Sequence, residues 1–329
     1  PVGGRHRLLL VGLVRSAATG TVVEPGVSYD PGMAIPTDLA GSTAGPMVHP
    51  IDERWLMAYA ASIDDLAPHY LDTTRPTGVV AHPVFPVCVE WPVIVAARAA
   101  YQRLGVTPDE VRTGVHATHD LIIHRAIRPG DVLTTSLETV GVIGIRPGAK
   151  TTTRLRTVDA DGRPVATTTQ DGIHLGVPTS GPDRPDPNPP TPIEPVDRIG
   201  EPVERRVDID GARAHLYTEC ARIWNPIHTD RAVALAAGLP DIILHGTANL
   251  AYGVTAALEA SSAEPAEVRR IRCRFRAMVR LPSTMTIRTW PAAPSTTADR
   301  RVVPFEVLNG DGDPAVEDGL LVLGQEGSS

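Results

Sequence analysis

The sequence predicts an α+β protein built from two tandem copies of one unit, each a long buried helix followed by antiparallel strands. Three observations carry that prediction. Ile209, Asp210, Tyr217, Pro226 and Asp230 stand 158 residues after Ile51, Asp52, Tyr59, Pro68 and Asp72, and a constant offset marks an internal repeat. Each half has one long apolar helical segment followed by β-rich runs, whereas a doubly wound parallel sheet would alternate strands and helices. Between the halves, residues 176–199 are dense in proline, from Pro178 to Pro195, which describes a stiff, extended linker.

Residues 1–44 read as a disordered leader. The apolar run of residues 8–14 is short for a signal peptide and ends at Arg15, and Met33 is a candidate natural start. The first unit spans residues 45–175. Asp52 is a suitable N-cap for a short helix through Tyr59 and Ala60. Residues 62–86 read as irregular. Trp91 to Leu104 then forms a helix that is apolar almost all round and therefore buried, with Pro92 in its first turn and Gly105 as its stop. Strands are expected at 116–125, 132–145, 151–158 and 165–175, the last two joined through the Asp159–Gly162 turn.

The second unit spans residues 200–325. Asp230 should cap a helix over 231–237 that ends at Gly238. The long helix runs from about Gly246 to Glu259, with Leu250, Val254 and Leu258 on one stripe. Its many small residues, among them Gly246, Ala248, Ala251 and Gly253, let a sheet approach closely. Strands are expected at 268–276, 285–290, 300–308 and 315–324. Asn309-Gly310 is a strong hairpin signal. His82 matches His245 after a five-residue length change.

A hydrophobic content of 42% over 329 residues supports a substantial core. The net charge of -7 argues against a general nucleic-acid binder. No apolar run is long enough for a membrane span. Cys88, Cys220 and Cys273 show neither metal-ligand spacing nor a paired framework, which suits a reducing cytoplasm. There is no Gly-rich phosphate loop, no nucleophile elbow and no zinc motif.

The chemistry is concentrated in Asn225-Pro226-Ile227-His228 and Leu244-His245-Gly246. These two pieces resemble the signature of MaoC-like (R)-specific enoyl-CoA hydratases and 3-hydroxyacyl-thioester dehydratases. In that family an aromatic residue precedes Ser-Gly-Asp-x-Asn-Pro-Leu/Ile-His, followed later by Val/Leu-His-Gly. The resemblance implies two hotdog folds, each a long helix wrapped by an antiparallel sheet. It also implies a hydro-lyase acting on an acyl-CoA or acyl-carrier thioester, with coenzyme A entering as part of the substrate and no other cofactor or metal. A homodimer is compatible with the chain. One departure bears on mechanism: Ile223 stands where the family keeps its catalytic Asp, and Ala221 and Arg222 stand for Ser and Gly.

The resemblance places His228 at the reacting acyl carbon as the acid/base group, and imidazole suits that task near neutral pH. Asn225 either orients water or starts the turn before Pro226. The Gly246 N–H, at the positive end of the long helix, becomes an oxyanion donor. Arg222 is a candidate substrate contact, and either it or Glu219 could stand in for the lost carboxylate. In the first unit Asp65 occupies the Asp position, while Ala67 and Tyr70 replace Asn and His, so Asp65 is a candidate acid there that is not expected to meet His228. Arg272, Arg274 and Arg276, with Arg270, share one strand face. That face is either solvated or a landing site for coenzyme A phosphates or an acidic carrier protein. Two alternatives remain open beside the hydro-lyase: a hotdog thioesterase, and a catalytically silent acyl-thioester-binding subunit, which Ile223 favours.

Overall fold

The computed structural model describes residues 34–107, 111, 113–194, 196–294 and 300–324. The first unit contributes β1 (Ile35–Pro36), β2 (Thr43–Pro50), α1 (Glu53–Ser62), α2 (Pro68–Leu71), α3 (Pro86–Arg103), β3 (Gly114–Ile123), β4 (Val132–Ile145), β5 (Gly148–Val158) and β6 (Pro164–Leu175). After β7 (Thr179–Ser180), the second unit contributes β8 (Val203–Ile209), α4 (Arg213–Ala221), α5 (Arg231–Ala236), α6 (Gly246–Ser261), β9 (Val268–Phe275), β10 (Ser283–Thr289), β11 (Ala293–Pro294), β12 (Arg301–Leu308) and β13 (Pro314–Leu323). The fold is α+β, and the same element order recurs in both halves.

The main strands form one antiparallel sheet in the order β2-β4-β5-β6-β3-β9-β13-β12-β10-β8. Five strands from each unit meet at the β3–β9 seam, where Leu121 pairs with Ile271 and His119 with Cys273. The long helices α3 and α6 lie on the inner face, and one apolar core runs through both units from Trp55 and Phe85 to Phe305 and Leu323. At the seam Arg270 donates from Nε and Nη2 to the two carboxylate oxygens of Asp120, both at 2.6 Å. No described helix is long and apolar enough to cross a membrane.

Helix α1 begins where its cap directs, since Asp52 Oδ1 accepts from the Trp55 N–H at 2.7 Å. The expected start of the next long helix needs correction: α3 begins at Pro86, and Pro92 lies inside it. Pro86 takes the first-turn role, and burial of Val87, Cys88 and Val89 outweighs the hydrogen bond that an internal proline forfeits. Residues 1–33 of the expected leader lie outside the described residues. Residues 34–44 are not a disordered leader: Ile35 and Leu39 pack against Ala100, Val142 and Val177, and β1 pairs with β7. The edge strands β2 and β8 escaped the sequence reading because each buries little of itself.

The linker lies against the first unit. Arg184 and Val142 exchange backbone hydrogen bonds at 2.7 and 2.8 Å, and Arg154 donates to Asp186 at 2.6 Å. Gly141 permits the approach, for a Cβ there would stand 2.8 Å from the Asp186 nitrogen. The Asn309-Gly310 hairpin also differs from a two-residue turn. Asn309 N–H donates to Asp313 O at 2.8 Å, and the left-handed residue is Gly312, with φ +83°. The Asp159–Arg163 loop closes in the same way, with Gly162 at φ +78°.

Small residues do bring the sheet onto α6. A Cβ on Gly253 would lie 2.7 Å from the Phe305 ring. Gly253→Ala should therefore lower stability by about 1–3 kcal/mol through overpacking, measured by denaturant unfolding; an unchanged midpoint would contradict the contact. A second test concerns Glu90, buried on α3 with Thr168 Oγ1 donating to Oε1. Burial raises its pKa from the ordinary 4.5 to about 7. Because the folded-state value is raised, its contribution is complete below the unfolded value and is lost as pH climbs through 7. Glu90→Gln should match the parent near pH 4.5 and exceed it at pH 8.5 by on the order of 3 kcal/mol. A difference independent of pH would refute this assignment.

Candidate active site

The two units meet through α1 and α4 as well as through the sheet. Trp55 Nε1 donates to the Cys220 carbonyl at 3.1 Å. Arg213 donates to Ser62 O at 3.0 Å and to Asp64 Oδ1 at 2.8 Å. Tyr59 and Tyr217 bring their hydroxyls to 3.5 Å. Asp64 and Arg222, equivalent in the repeat, both adopt left-handed backbone, with φ +56° and +58°. That conformation explains why glycine suits the Arg222 position in the resembling motif.

From this junction a chain of buried rings runs outward in both directions. Toward the second unit, Tyr217 lies 4.9 Å from His245, and His245 stacks on His228 at 3.6 Å. Toward the first, Tyr59 lies 5.8 Å from His82, and His82 lies 5.5 Å from Tyr70. Tyr70 thus occupies the place of His228, and His82 that of His245. The chain ends in two centres with different equipment.

In the second centre, the 3-10 turn Pro226–His228 is held by the His228 N–H donating to Asn225 O at 3.1 Å. Asp230 then caps α5, accepting from Ala232 and Val233 at 2.9 and 3.2 Å. His228 Nδ1 lies 2.8 Å from the Ile243 carbonyl. A carbonyl only accepts, so Nδ1 carries the proton and Nε2 keeps its lone pair. His228 is 8% exposed, and burial lowers its pKa to about 4 against the opposing Ile243 bond. Its resting form is therefore the neutral base. His245 Nε2 lies 3.2 Å from Thr218 Oγ1, while Nδ1 lies beside the Ile223 backbone without a well-formed bond. Burial again keeps His245 neutral. Gly246 opens α6 directly after it. As the first helical residue its N–H has no intrahelical acceptor.

Asn225 lies three residues before His228, and Gly246 directly follows His245, whose ring stacks on that of His228. Ile223 is buried in the common core, with no carboxylate in its place. Arg222 is drawn elsewhere: its guanidinium stacks 3.8 Å over the Trp55 ring of the first unit. The arginine strip does not join this centre either. Ile271 and Cys273 face inward, so Arg272 and Arg274 face outward from the sheet. Arg274 Nη1 lies 3.4 Å from Asp318 Oδ2, and Arg276 Nε lies 3.7 Å from Glu317 Oε2.

The first centre is built around His82 and Asp65. Val84 N–H donates to His82 Nδ1 at 3.1 Å, so His82 Nε2 carries the proton and donates to Thr255 Oγ1 at 3.2 Å. Thr255 in turn donates to Asp65 Oδ2 at 2.8 Å. Thr255 belongs to α6, so the second unit completes the first unit's centre. Asp65 and His228 end on opposite arms of the ring chain and do not meet. Sequence reasoning missed His82 and Thr255 as partners of Asp65, although the repeat offset marked His82.

Two five-stranded sheets, each with one long helix on its inner face and joined edge to edge, define a double hotdog protein. Residues 195–310 match the MaoC-like domain, and residues 38–168 match the FAS1-like dehydratase domain region. The second half of the chain thus carries the MaoC-like domain and the first half a FAS1-like dehydratase domain region. A MaoC-like dehydratase from Phytophthora capsici has a TM-score of 0.69 at 18% identity, over 87% of this chain and 96% of that one. The full-length peroxisomal multifunctional enzyme type 2 of Drosophila melanogaster has a TM-score of 0.66 at 21% identity over 85% of this chain, but only 48% of that longer protein is covered. A Mycobacterium tuberculosis protein with a double hotdog fold has a TM-score of 0.58 at 15% identity, over 87% and 96% of the two chains. At these identities the likeness speaks for the fold. No curated protein sequence matches the chain.

Proposed function

We propose that this protein is a hydro-lyase that hydrates a trans-2-enoyl thioester or dehydrates the (R)-3-hydroxyacyl thioester, carried by coenzyme A or an acyl-carrier protein. The observation that carries the reading is the His228 Nδ1–Ile243 carbonyl contact at 2.8 Å, which leaves Nε2 as a base in the centre that Gly246 closes. In hydration, Nε2 takes a proton from water as the water oxygen bonds to C3. The π electrons move toward the thioester oxygen, where the Gly246 N–H meets the developing negative charge. The imidazolium then returns its proton to C2. Water is consumed, the histidine is regenerated, and no second carboxylate is required. The low proton affinity of buried His228 speeds the return step. Asn225 would hold the water.

A specific observation favours one competitor, the silent acyl-thioester-binding subunit: Ile223 fills the carboxylate position with a buried apolar side chain. Absorbance of crotonyl-CoA with purified protein separates the readings. Loss of the enoyl band supports the hydro-lyase, release of free thiol supports a thioesterase, and neither supports the binding subunit.

His228→Ala should reduce turnover by about a hundredfold to ten-thousandfold while the melting temperature changes little. In the parent, the acidic limb of kcat/KM should lie near pH 4, because the neutral base persists down to its lowered pKa of about 4. Parent-like turnover in the alanine variant would remove His228 from the mechanism.

Ile223→Asp should raise hydration of a short enoyl-CoA at a cost of about 1–3 kcal/mol in stability. Its carboxyl pKa should be raised by burial, making the penalty larger at pH 8 than at pH 5. A folded variant that binds acyl-CoA without gaining hydration would show that the carboxylate is not the limiting part.

A further inference from the structure

A threonine–histidine contact occurs in both centres, with opposite polarity. In the first, the Val84 N–H donates to His82 Nδ1 at 3.1 Å, so the proton of that ring sits on Nε2 and points to Thr255 Oγ1 at 3.2 Å. In the second, His245 Nε2 also lies 3.2 Å from a threonine hydroxyl, that of Thr218. Here no N–H reaches Nδ1. It faces the backbone of Ile223, whose N–H is already spent on Thr218 O at 3.1 Å. That leaves the Ile223 carbonyl, and the contact favours the protonated ring against burial, as an acceptor does. His245 Nδ1 therefore carries the proton and Nε2 keeps a lone pair. Among the described residues the Thr218 hydroxyl has no other partner, so it donates to that lone pair.

Two buried neutral rings thus stand face to face. His245 and His228 have ring centres 3.6 Å apart and planes at 25°, and the Ile243 contact makes His228 an Nδ1–H ring as well. Among the described residues no carboxylate or cation shifts either imidazole. The other titratable ring against His245 is Tyr217, 4.9 Å away on α4, and burial holds it protonated. Rings this close do not both carry charge. A hydrogen bond donated to the neutral form of a base disfavours its charged form. His245 Nε2 receives such a bond, whereas among the described residues His228 Nε2 receives none. The proton taken up in turnover therefore settles on His228, and the neutral His245 ring lies against it as a π face.

We propose that Thr218 and His245 are positioning residues for the base: the Thr218 hydroxyl fixes His245 as a neutral Nδ1–H ring, and that ring supports the His228 imidazolium formed in turnover. This assignment rests on the hydro-lyase reading above and adds the residues that direct its proton. Valine at position 218 would keep the branched shape and remove the donor. The buried Nε2 lone pair of His245 would then be unmet. The ring would turn out of the stack or take the proton itself, and either change weakens the charged state of His228.

Nitrogen-15 spectra of the full chain at pH 7 test the arrangement without turnover. His245 and His228 should both report the Nδ1–H tautomer, and His82 the Nε2–H tautomer. An Nε2–H ring at His245 overturns the inference and leaves the hydro-lyase reading standing. Kinetics with crotonyl-CoA test the consequence. Thr218→Val should lower kcat about fivefold to tenfold while KM stays within about threefold of the parent. Thr218→Ser keeps the donor and should hold kcat within about threefold of the parent. In a His245→Phe background the stacked ring is neutral without help, so adding Thr218→Val should change kcat by less than about twofold. An equal loss in both backgrounds, a loss confined to KM, or parent-like kcat in Thr218→Val overturns the inference. A Thr218→Ser variant as slow as Thr218→Val overturns it too, and assigns Thr218 to packing. Absence of any enoyl-CoA turnover in the parent overturns the hydro-lyase reading and this role with it.

Discussion

The antiparallel pairing of β3 with β9 is the constraint on which the rest of this structure depends. A five-stranded sheet standing alone presents an open strand at its edge, with unpaired N–H and C=O groups. Here each unit closes the other's edge, and the Asp120–Arg270 pair is seated across the closure. Once the strands are in register, the inner faces of both halves become one surface, and α6 and the first turns of α3 pack over it in a single core. The ring chain through Tyr59 and Tyr217 and the clamp of Arg213 on Asp64 follow from the same apposition.

That apposition also distributes chemistry between the halves. In the first centre both His82 nitrogens are engaged and Asp65 is met by Thr255. Such a network holds the halves together but leaves its imidazole no free lone pair. The second centre keeps a base with an open nitrogen. The two frames are similar, and the differences Asp65/Ile223 and Tyr70/His228 leave one with its histidine engaged at both nitrogens and the other with His228 Nε2 open.

Much of the fold was legible because its signals are local and periodic. Asp52 and Asp230 announced the helices they cap. The strands of the meander read within a few residues of their observed ends, and the run of small residues on α6 foretold the close approach of Phe305. What failed depended on tertiary context. Pro92 looked like a helix start because sequence cannot show that Val87 to Val89 would be buried around an earlier one. Residues 35–39 looked like a tail because their partners, Ala100, Val142 and Val177, are far along the chain. The motif marked His228, Asn225 and Gly246, and α6 does begin at Gly246. Arg222 and the arginine strip were not legible, since a cation's partner is set by packing: Trp55 took the first, and sheet alternation turned the second outward.

The placement of Thr255 has a consequence for how the chain comes into being. A ribosome delivers residues 45–175 well before α6, so the first half emerges with Asp65 lacking the hydroxyl that will meet it and with β3 an unpaired edge. The seam links positions about 150 residues apart, the kind of distant contact that slows folding. During that interval the nascent first half is exposed to strand pairing with other chains. The proline-rich segment, lying against β4 and β5, keeps the C-terminal half tethered to its own partner, which favours closure within one molecule over exchange between two.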